Sequence, residues 1–301
     1  VIDVLPTVLR QGLTAVEVHY LASTSGLDTA ATLRRLKDAG LEALPGGGAE
    51  IFGPSTRQRI CSHKITADEW LAVHEQAHAL GLPSNATMLF GHLESDEQIV
   101  EHLTALRDLQ DRTAGFQAFI PLPFQPRGTR LESVPPAGGH RILRVTALAR
   151  LFLDNIQHVR VLVNYMDRKL LQVLLHAGAD DIGGTSLDER VARAAGAGTT
   201  GRFFTVADVA TFLSSLGFVP HLVNSRYEPR GTEEAPAQTV ASTTMAPSPR
   251  DGAIDRLLNE AAAGRRLTRE NAVRLFEQAE LGRLGAAANR RRHTQVPGNR
   301  G

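Results

Sequence analysis

Short apolar runs alternate with longer amphipathic stretches through the first two-thirds of this chain, and that alternation restricts the fold more than any other feature. Leu13–Tyr20 reads as a strand. Asp28 then caps a helix through Lys37, with Leu33 and Leu36 on one face and Gly40 closing it. Leu41–Leu44 reads as a short strand running into Pro45, Gly46, Gly47 and Gly48. Thr66 caps a helix over Ala67–Leu80, which Gly81 ends. Ser84–Phe90 is a strand, Ser95–Thr113 a long helix striped with Ile99, Leu103, Leu106 and Leu109, and Phe116–Pro121 another strand. After a loop rich in Pro and Gly come helix His140–Asn155, strand Val159–Asn164, helix Lys169–Ala177 and short strand Asp180–Ile182. Strands separated by helices of this length pair in parallel through crossovers. About six such units before residue 185 are too many for an ordinary two-layer domain and match most of a TIM-type (β/α) barrel. A doubly wound open sheet calls for a glycine phosphate loop after its first strand. Gly46–Gly48 follows the second strand instead and does not open into a helix.

The composition shifts after Tyr227. Residues 231–250 are mostly Pro, Thr, Ser and Ala, as in a flexible linker. Beyond them Ala253–Ala263 and Thr268–Asn289 read as two helices joined at Gly264, with Leu275, Ala279 and Gly282 suited to close packing on one side. The last stretch, RRRHTQVPGNRG, reads as a basic, solvated end. With 42% hydrophobic and 22% charged residues the chain is ordinary for a globular protein with a sizeable core. Its formal net charge of +1 gives no general drive toward nucleic acid or a membrane surface. No apolar run reaches the roughly 18 residues of a membrane helix. The one cysteine, Cys61, excludes internal disulfides and any multi-cysteine metal site, which makes a reducing cytoplasm the expected setting. The chain begins at Val1 rather than Met, so a fragment or processed product is expected.

One motif suggests zinc. His74, Glu75 and His78 match H-E-x-x-H, in which two imidazoles one helical turn apart bind the metal and the glutamate acts as base. Gly81 extends the match toward the longer metzincin pattern, but the third histidine would fall at Ser84, which opens a strand. Gly81 is also accounted for as the helix terminator. In a barrel this helix lies in the outer ring, away from the mouth. The expectation is therefore two packed or surface histidines, with a distal ligand from Glu94, Glu97 or Glu101 as the remaining zinc alternative.

Barrel enzymes build their sites at the C-terminal ends of the strands. Read in order, those ends carry Thr14, Glu17 and His19; then Gly46–Gly48 and Glu50; then Asn85, Thr87 and Leu89 on one face, leaving through Gly91, His92 and Glu94; then Gln117 and Phe119; and last Asp180 and Asp181 before Gly183, Gly184 and Thr185. Glycines, amides, hydroxyls, aromatics and a few carboxylates suit a nucleoside-like ligand better than a hydrolytic nucleophile. No Ser/His/Asp or Cys/His spacing of a known type is present.

Several segments in order resemble one family. They are Leu44–Phe52 (LPGGGAEIF), Arg59–Cys61 (RIC), Asn85–Glu94 (NATMLFGHLE), Phe116–Pro121 (FQAFIP), Leu153–Asn155 (LDN) and Gly178–Ile182 (GADDI). Together they resemble the radical S-adenosylmethionine aminofutalosine synthases of the futalosine route to menaquinone, whose relatives are the cyclic dehypoxanthinylfutalosine synthases and the deazaflavin (FO) synthase subunits. The resemblance covers roughly residues 13–227. Ser84–Thr87 and His74 lean toward the aminofutalosine member, whereas Leu148–Asn155 is equally like the cyclase. It implies a [4Fe–4S] cluster that splits S-adenosylmethionine, with a 5′-deoxyadenosyl radical adding to the enol ether of a carboxyvinyloxy-benzoate. It also implies a cytoplasmic enzyme with a small-molecule substrate, either that benzoate or a futalosine derivative. A reductant for the cluster is implied too, and neither a nucleic acid nor a membrane partner. On the resemblance, Glu50, Asn85, Thr87, Leu89, Gly91 and Glu94 are candidates for the S-adenosylmethionine pocket, with Thr87, Leu89, Gly91 and Glu94 matching the family's adenine-approaching fifth strand and Glu50 a candidate for the substrate pocket as well. Glu17, His19, His92, Gln117, Phe119, Asp180 and Asp181 are candidates for the substrate. No metal ligand and no catalytic residue is assigned within this chain.

The sequence departs from the family at the cluster. The family's CxxxCxxC, in the loop after the first barrel strand, is absent along with the first two strands and the helices before them. A cluster of this kind needs three thiolates, and Cys61 lies elsewhere. Gln11 stands where relatives often carry Lys. The tail, Ile254–Phe276 with Leu284–Arg292, resembles the family's N-terminal helices. The expectation is thus an α/β chain in three parts. Residues 1–230 form the rear of a (β/α) barrel missing its first strands, 231–252 a linker, and 253–301 a helical segment like the start of a second module, as in a slice of a tandem fusion or a frameshift product. Alternatively the tail docks back on the barrel in place of the missing helices. Such a chain is expected to be inactive alone; a non-catalytic barrel remnant is the competing reading.

Overall fold

The computed structural model describes residues 11–184, 205–224, 226–229 and 252–296. The chain begins with α1 (Ala15–Ser25), α2 (Thr29–Asp38), α3 (Pro54–Cys61) and α4 (Ala67–Ala79). Alternation follows through β1 (Ser84–Phe90), α5 (Asp96–Thr113), β2 (Phe116–Pro123), α6 (Gly139–Phe152), β3 (His158–Leu162), α7 (Arg168–Leu175) and β4 (Asp181–Gly183). Then come α8 (Val206–Ser215), α9 (Gly252–Ala262), α10 (Arg269–Gln278) and α11 (Leu281–Gln295). The strands pair in parallel in the order β1-β2-β3-β4. Isolated parallel bridges from Leu44 to Ser84 and from Gln11 to Ala43 extend the sheet beyond β1. This is the alternating α/β architecture that the pattern implies, and it is compatible with part of a (β/α) barrel.

Pleating separates the two faces of the sheet. Ala86, Met88 and Phe90 share one face with Phe119 and Val161, and all five join a core with Leu103 and Leu106 of α5, Val145 and Leu148 of α6 and Leu171 of α7. The other face carries Asn85, Thr87 and Leu89, paired with Ala118, Ile120 and Leu122, and continues through His158, Arg160 and Asp181. Of the strand candidates, Asn85, Thr87, Leu89 and Asp181 therefore share the face turned away from the core helices, and Phe119 lies on the opposite face.

The first expected strand is a helix. Thr14 and Glu17 form a capping box in which the Thr14 amide and hydroxyl both donate to Glu17 Oε2 (2.7 and 2.8 Å). Gly26 closes α1 in the left-handed region. Val16, Val18 and Tyr20 alternate like a strand, but the residues buried are Ala15, Val18 and Ala22, three or four apart. The strand-like position is earlier, at Gln11. Leu41–Leu44 contributes only the bridge residues Ala43 and Leu44. Elsewhere the caps hold: Asp28 begins α2, Thr66 α4 and Ser95 α5. Two helices were not legible in the pattern, α3 with Pro54 in its first turn and α8 behind a Thr205–Asp208 capping box.

The tail forms three helices rather than two, because Ala279 is extended and the Glu280 carboxylate accepts from the amides of Gly282 and Arg283. It docks on the helices of the sheet-bearing region. Leu275, Phe276, Leu284, Ala287 and Ala288 are buried in the same core as α5 and α6. Three arginines fasten the contact: Arg107 donates to Leu267 O (2.8 Å), Arg144 to Phe276 O (2.6 Å) and Arg150 to Gln295 Oε1 (3.1 Å). Gln295 returns a bond to Asp154 O (3.1 Å). The tail therefore packs against α5 and α6. The expected linker falls at 231–252, of which all but Gly252, the first residue of α9, lies outside the described residues.

Candidate functional site

At the C-terminal end of β1 and just past β2, a cavity of about 290 Å³ opens between the sheet, α3 and the loop that follows β2. Ile60, Leu89, Phe124 and Leu131 give it an apolar floor. Arg59, His63, Lys64 and Arg130 give it a basic rim. Glu50, Cys61 and His92 complete the lining. A larger cavity of about 470 Å³ lies on the other side of α3, among residues such as Phe52, Leu71 and Ala105. It is bounded by helices and not by strand ends, so the smaller one is the candidate by position.

The loop that presents Glu50 is built by a buried cation. Arg57 on α3, 6% exposed, donates to the carbonyls of Gly48 (3.2 Å), Ala49, Ile51 (3.3 Å) and Ile65 (3.0 Å). A guanidinium offers five donors in a rigid fork, and here carbonyls take the place of a counterion. Trp70 Nε1 donates to Gly47 O (3.2 Å) from the other side. Gly46 lies so close to β1 that a Cβ there would clash with Asn85 O, and Gly48 has φ +87°. The glycines thus serve the approach of loop to strand. Glu50 itself sits at φ +49°, its carbonyl accepting from Leu89 N (2.8 Å) and its carboxylate from Lys64 Nζ (2.6 Å).

After β1 the chain turns at Gly91, and Glu94 Oε1 and Oε2 accept from the amides of Gly91 (2.7 Å) and His92 (2.9 Å). Arg141 Nη2 reaches the same carboxylate at 3.4 Å. His92 Nδ1 lies 3.0 Å from Glu94, yet it accepts from Leu93 N (2.7 Å), so the proton is on Nε2, which donates to Leu89 O (3.1 Å). Burial lowers the His92 pKa, in keeping with a neutral ring. His92 and Glu94 therefore shape the turn without forming an ion pair.

Of the residues singled out from sequence, Glu50, Leu89 and His92 line this cavity, with Gly91 and Glu94 forming the turn beside it. Thr87 faces the same way, but its hydroxyl donates to Gly46 O and its carbonyl accepts from His102 Nε2 (2.9 Å). Asn85 is deeper on that face, with Oδ1 buried and unpartnered. Phe119 faces the helices in the main core. Gln117 is unpaired in the ladder where the register slips, so alternation does not put it beside Phe119. Glu17 is committed to its cap, and His19 rides on the same helix.

Asp180 and Asp181 stand at the start of β4, not its end. Buried Asp180 accepts from Arg150, from His158 Nδ1 (2.6 Å) and from Val159 N (2.7 Å). Burial raises its pKa, and Arg150 with the two hydrogen bonds overcomes that, holding the carboxyl below its ordinary value. Asp181 pairs with Arg160 and accepts from Tyr227 OH, whose ring stacks on His158 at 3.8 Å. Both aspartates are engaged in joining β3 to β4. Arg57 and Arg130 were missed, and Arg59 was noted only within the RIC segment, because nothing local marks an exposed arginine as a rim or an arginine on a short helix as a carbonyl clamp.

The H-E-x-x-H histidines join one hydrogen-bond chain, with His74 Nε2 buried and unpartnered. Thr113 Oγ1 donates to Leu109 O (2.9 Å), so His78 Nδ1–H donates to Thr113 (2.8 Å) and His78 Nε2 accepts from Ser84 (2.8 Å). Ser84 Oγ then accepts from His74 Nδ1–H (2.7 Å). Burial lowers the His78 pKa to about 4 and that of His74 well below its ordinary value. Glu75 pairs instead with exposed Arg112 (3.0 Å). The packed-histidine expectation describes this geometry.

Residues 113–236 match the family model described as the CofH/MqnC C-terminal region. Over 219 residues, 71% of the chain and 59% of the relative, the chain is 41% identical to the aminodeoxyfutalosine synthase of Thermus thermophilus. It is 38% identical over 232 residues, 74% of the chain and 62% of the relative, to the 5-amino-6-(D-ribitylamino)uracil–L-tyrosine 4-hydroxyphenyl transferase of Methanopyrus kandleri. It is 36% identical over 232 residues, 77% of the chain and 57% of the relative, to the cyclic dehypoxanthine futalosine synthase of Streptomyces coelicolor. All three relatives are enzymes by name. The chain spans 57–62% of their lengths. No helix among the described residues is long and apolar enough to cross a membrane.

Proposed function

We propose that this chain carries the rear wall and part of the mouth of a radical S-adenosylmethionine enzyme that makes an aminodeoxyfutalosine-type product from a carboxyvinyloxy-benzoate. The observation that carries this reading is the 41% identity to aminodeoxyfutalosine synthase across 71% of the chain. The cavity at the strand ends supports it, since Glu50, Leu89 and His92 meet there. The cyclase and transferase relatives, at 36% and 38%, keep the sibling activities as alternatives within one chemistry.

The cofactor reading divides. A mouth with an apolar floor and a carboxylate at Glu50 fits the nucleoside part of S-adenosylmethionine. The residues of this chain do not fit the cluster. Three thiolates are required, and the sequence offers Cys61 alone, whose thiol is buried and pushed up in pKa by that burial. Cluster ligands would have to come from polypeptide outside this sequence, and no step is derived through the cluster. What these residues do is positional: Arg57 holds the Glu50 loop, and Glu94 fixes the turn after β1 over the cavity.

The test has two arms. Anaerobic iron–sulfide reconstitution of the chain alone is expected to leave it without the brown cluster absorbance; a stable four-iron cluster would overturn the fit argument. Mixed with the part of the Thermus relative that this chain does not span, S-adenosylmethionine, a reductant and the benzoate, the chain is expected to yield an aminodeoxyfutalosine mass. A folded complex that loads its cluster and makes no such product sinks the activity.

A further inference from the structure

We propose that Arg59 and Arg130 act as an anion clamp across the cavity at the strand ends, selecting ligands that carry a carboxylate on a flat apolar body. The inference rests on the reading of this cavity as part of the mouth of the proposed enzyme, assigns its basic rim to the carboxylate substrate, and names two specificity-determining residues there.

The argument is one of charge and shape. The cavity lining contains four basic side chains and a single carboxylate. That carboxylate, Glu50, is taken by Lys64 at 2.6 Å, so the two cancel. His92 is neutral by its hydrogen bonds, one ring nitrogen accepting from Leu93 N and the other donating to Leu89 O. Glu94, 2% exposed in its side chain, is filled by two amides and Arg141. What is left over is His63 and two guanidiniums, and of these only the guanidiniums carry a fixed fork of N–H donors. Arg59 projects from α3 and Arg130 from the loop between β2 and α6, and neither has a hydrogen-bond or ion-pair partner among the described residues. Two elements thus bring unneutralised positive charge to one small cavity. Guanidinium is the side-chain group best matched to a planar carboxylate, through paired N–H donors.

The floor supplies the second half of the specificity. Leu89, Phe124, Ile60 and Leu131 offer apolar surface below the charged rim. An inorganic oxyanion would use the rim and leave that surface wetted. An aromatic carboxylate would use both, which is why the carboxylate is favoured over phosphate. Arg127 supplies an internal control, since it is exposed in the same loop but does not line the cavity.

The experiment is equilibrium binding to the whole chain by titration calorimetry at low salt, with benzoate, its neutral isostere benzamide and inorganic phosphate as probes. Benzoate is expected to bind at least about tenfold more tightly than benzamide, and R59Q and R130Q are each expected to weaken benzoate about tenfold. R127Q should leave the affinity unchanged. Both clamp residues are exposed, so the substitutions spare the core, and R130K tests whether a point charge suffices where the fork is missing. Equal binding of benzoate and benzamide overturns the clamp, as does an R127Q effect as large as that of R130Q. Phosphate binding tighter than benzoate overturns the carboxylate assignment. The two readings fail separately. A clamp that behaves as expected in a complemented enzyme that makes no product sinks only the proposed activity. Product formation with an unaltered KM in R130Q sinks only the clamp.

Discussion

Asp180 and the paired histidines of α4 show how the same residue type reads differently once its neighbours are known. In sequence Asp180 stands beside glycines near a strand and suggests a ligand contact. In space its carboxylate is buried against Arg150, whose remaining donors reach Gly178 O and Gln157 O (2.7 Å each). Removing one partner of such a pair leaves the other charged and unpaired, at a cost of about 3–5 kcal/mol. D180N is therefore expected to lower the urea midpoint strongly while leaving benzoate affinity alone; a loss of binding with full stability would restore its role as a ligand residue. His78 makes a pH prediction. Its folded pKa of about 4 lies below the usual 6.5, so between those values the unfolded chain binds more protons. Stability is fully present above pH 6.5 and falls as the pH drops toward 4, by up to about 3 kcal/mol from this group. Urea melts across that window check it, and a flat profile would mean that the Ser84–Thr113 hydrogen-bond chain does not hold His78 neutral.

Most of the secondary elements that were legible have local punctuation, although α1 and α8, with capping boxes of their own, were not read as helices. Ser84–Phe90 and the starts of α2, α4 and α5 follow from an apolar run or from a capping side chain two to three residues from the amide it accepts. At Leu13–Tyr20 the alternation of Val16, Val18 and Tyr20 competes with Thr14-x-x-Glu17, a helix-start signature, and the capping box prevails. T14A is expected to cost about 1 kcal/mol and to fray the first turn of α1, read as faster amide exchange at Val16–Val18. No change there would argue that tertiary packing alone holds the helix. Missing α3 had a larger consequence, since α3 supplies both Arg57, which shapes the Glu50 loop, and Arg59 on the rim.

At the scale of the molecule, the tail helices decide how the core closes. Ala288 is fully buried and lies where a Cβ on Gly178 would approach it at 3.2 Å, so α11 meets the turn after α7 at the distance of small side chains. Arg141 adds a link toward the mouth: its guanidinium lies 4.8 Å from the Phe276 ring centre while bonding Glu94 and Asp96. A288E is expected to undock the tail, raising the radius of gyration in solution scattering and lowering the melting temperature. An unchanged scattering profile would show that α11 is not held by this packing. Undocking should also loosen the Glu94 turn, because Arg141 loses its aromatic support.

The sequence by itself determined the alternation of helix and parallel strand, most helix starts, the shortage of thiolates and the family resemblance. Each of these rests on residue identity, on a repeat of two or 3.6 residues, or on hydrogen bonds that close within a few positions. Only the tertiary structure decided that the tail docks on α5 and α6 rather than standing apart, that Asp180 and Asp181 join strands, and that Glu50 is neutralised while Arg59 and Arg130 are not. Those outcomes depend on which charges and apolar faces come together from positions far apart in the chain, where burial, not spacing, sets the energy.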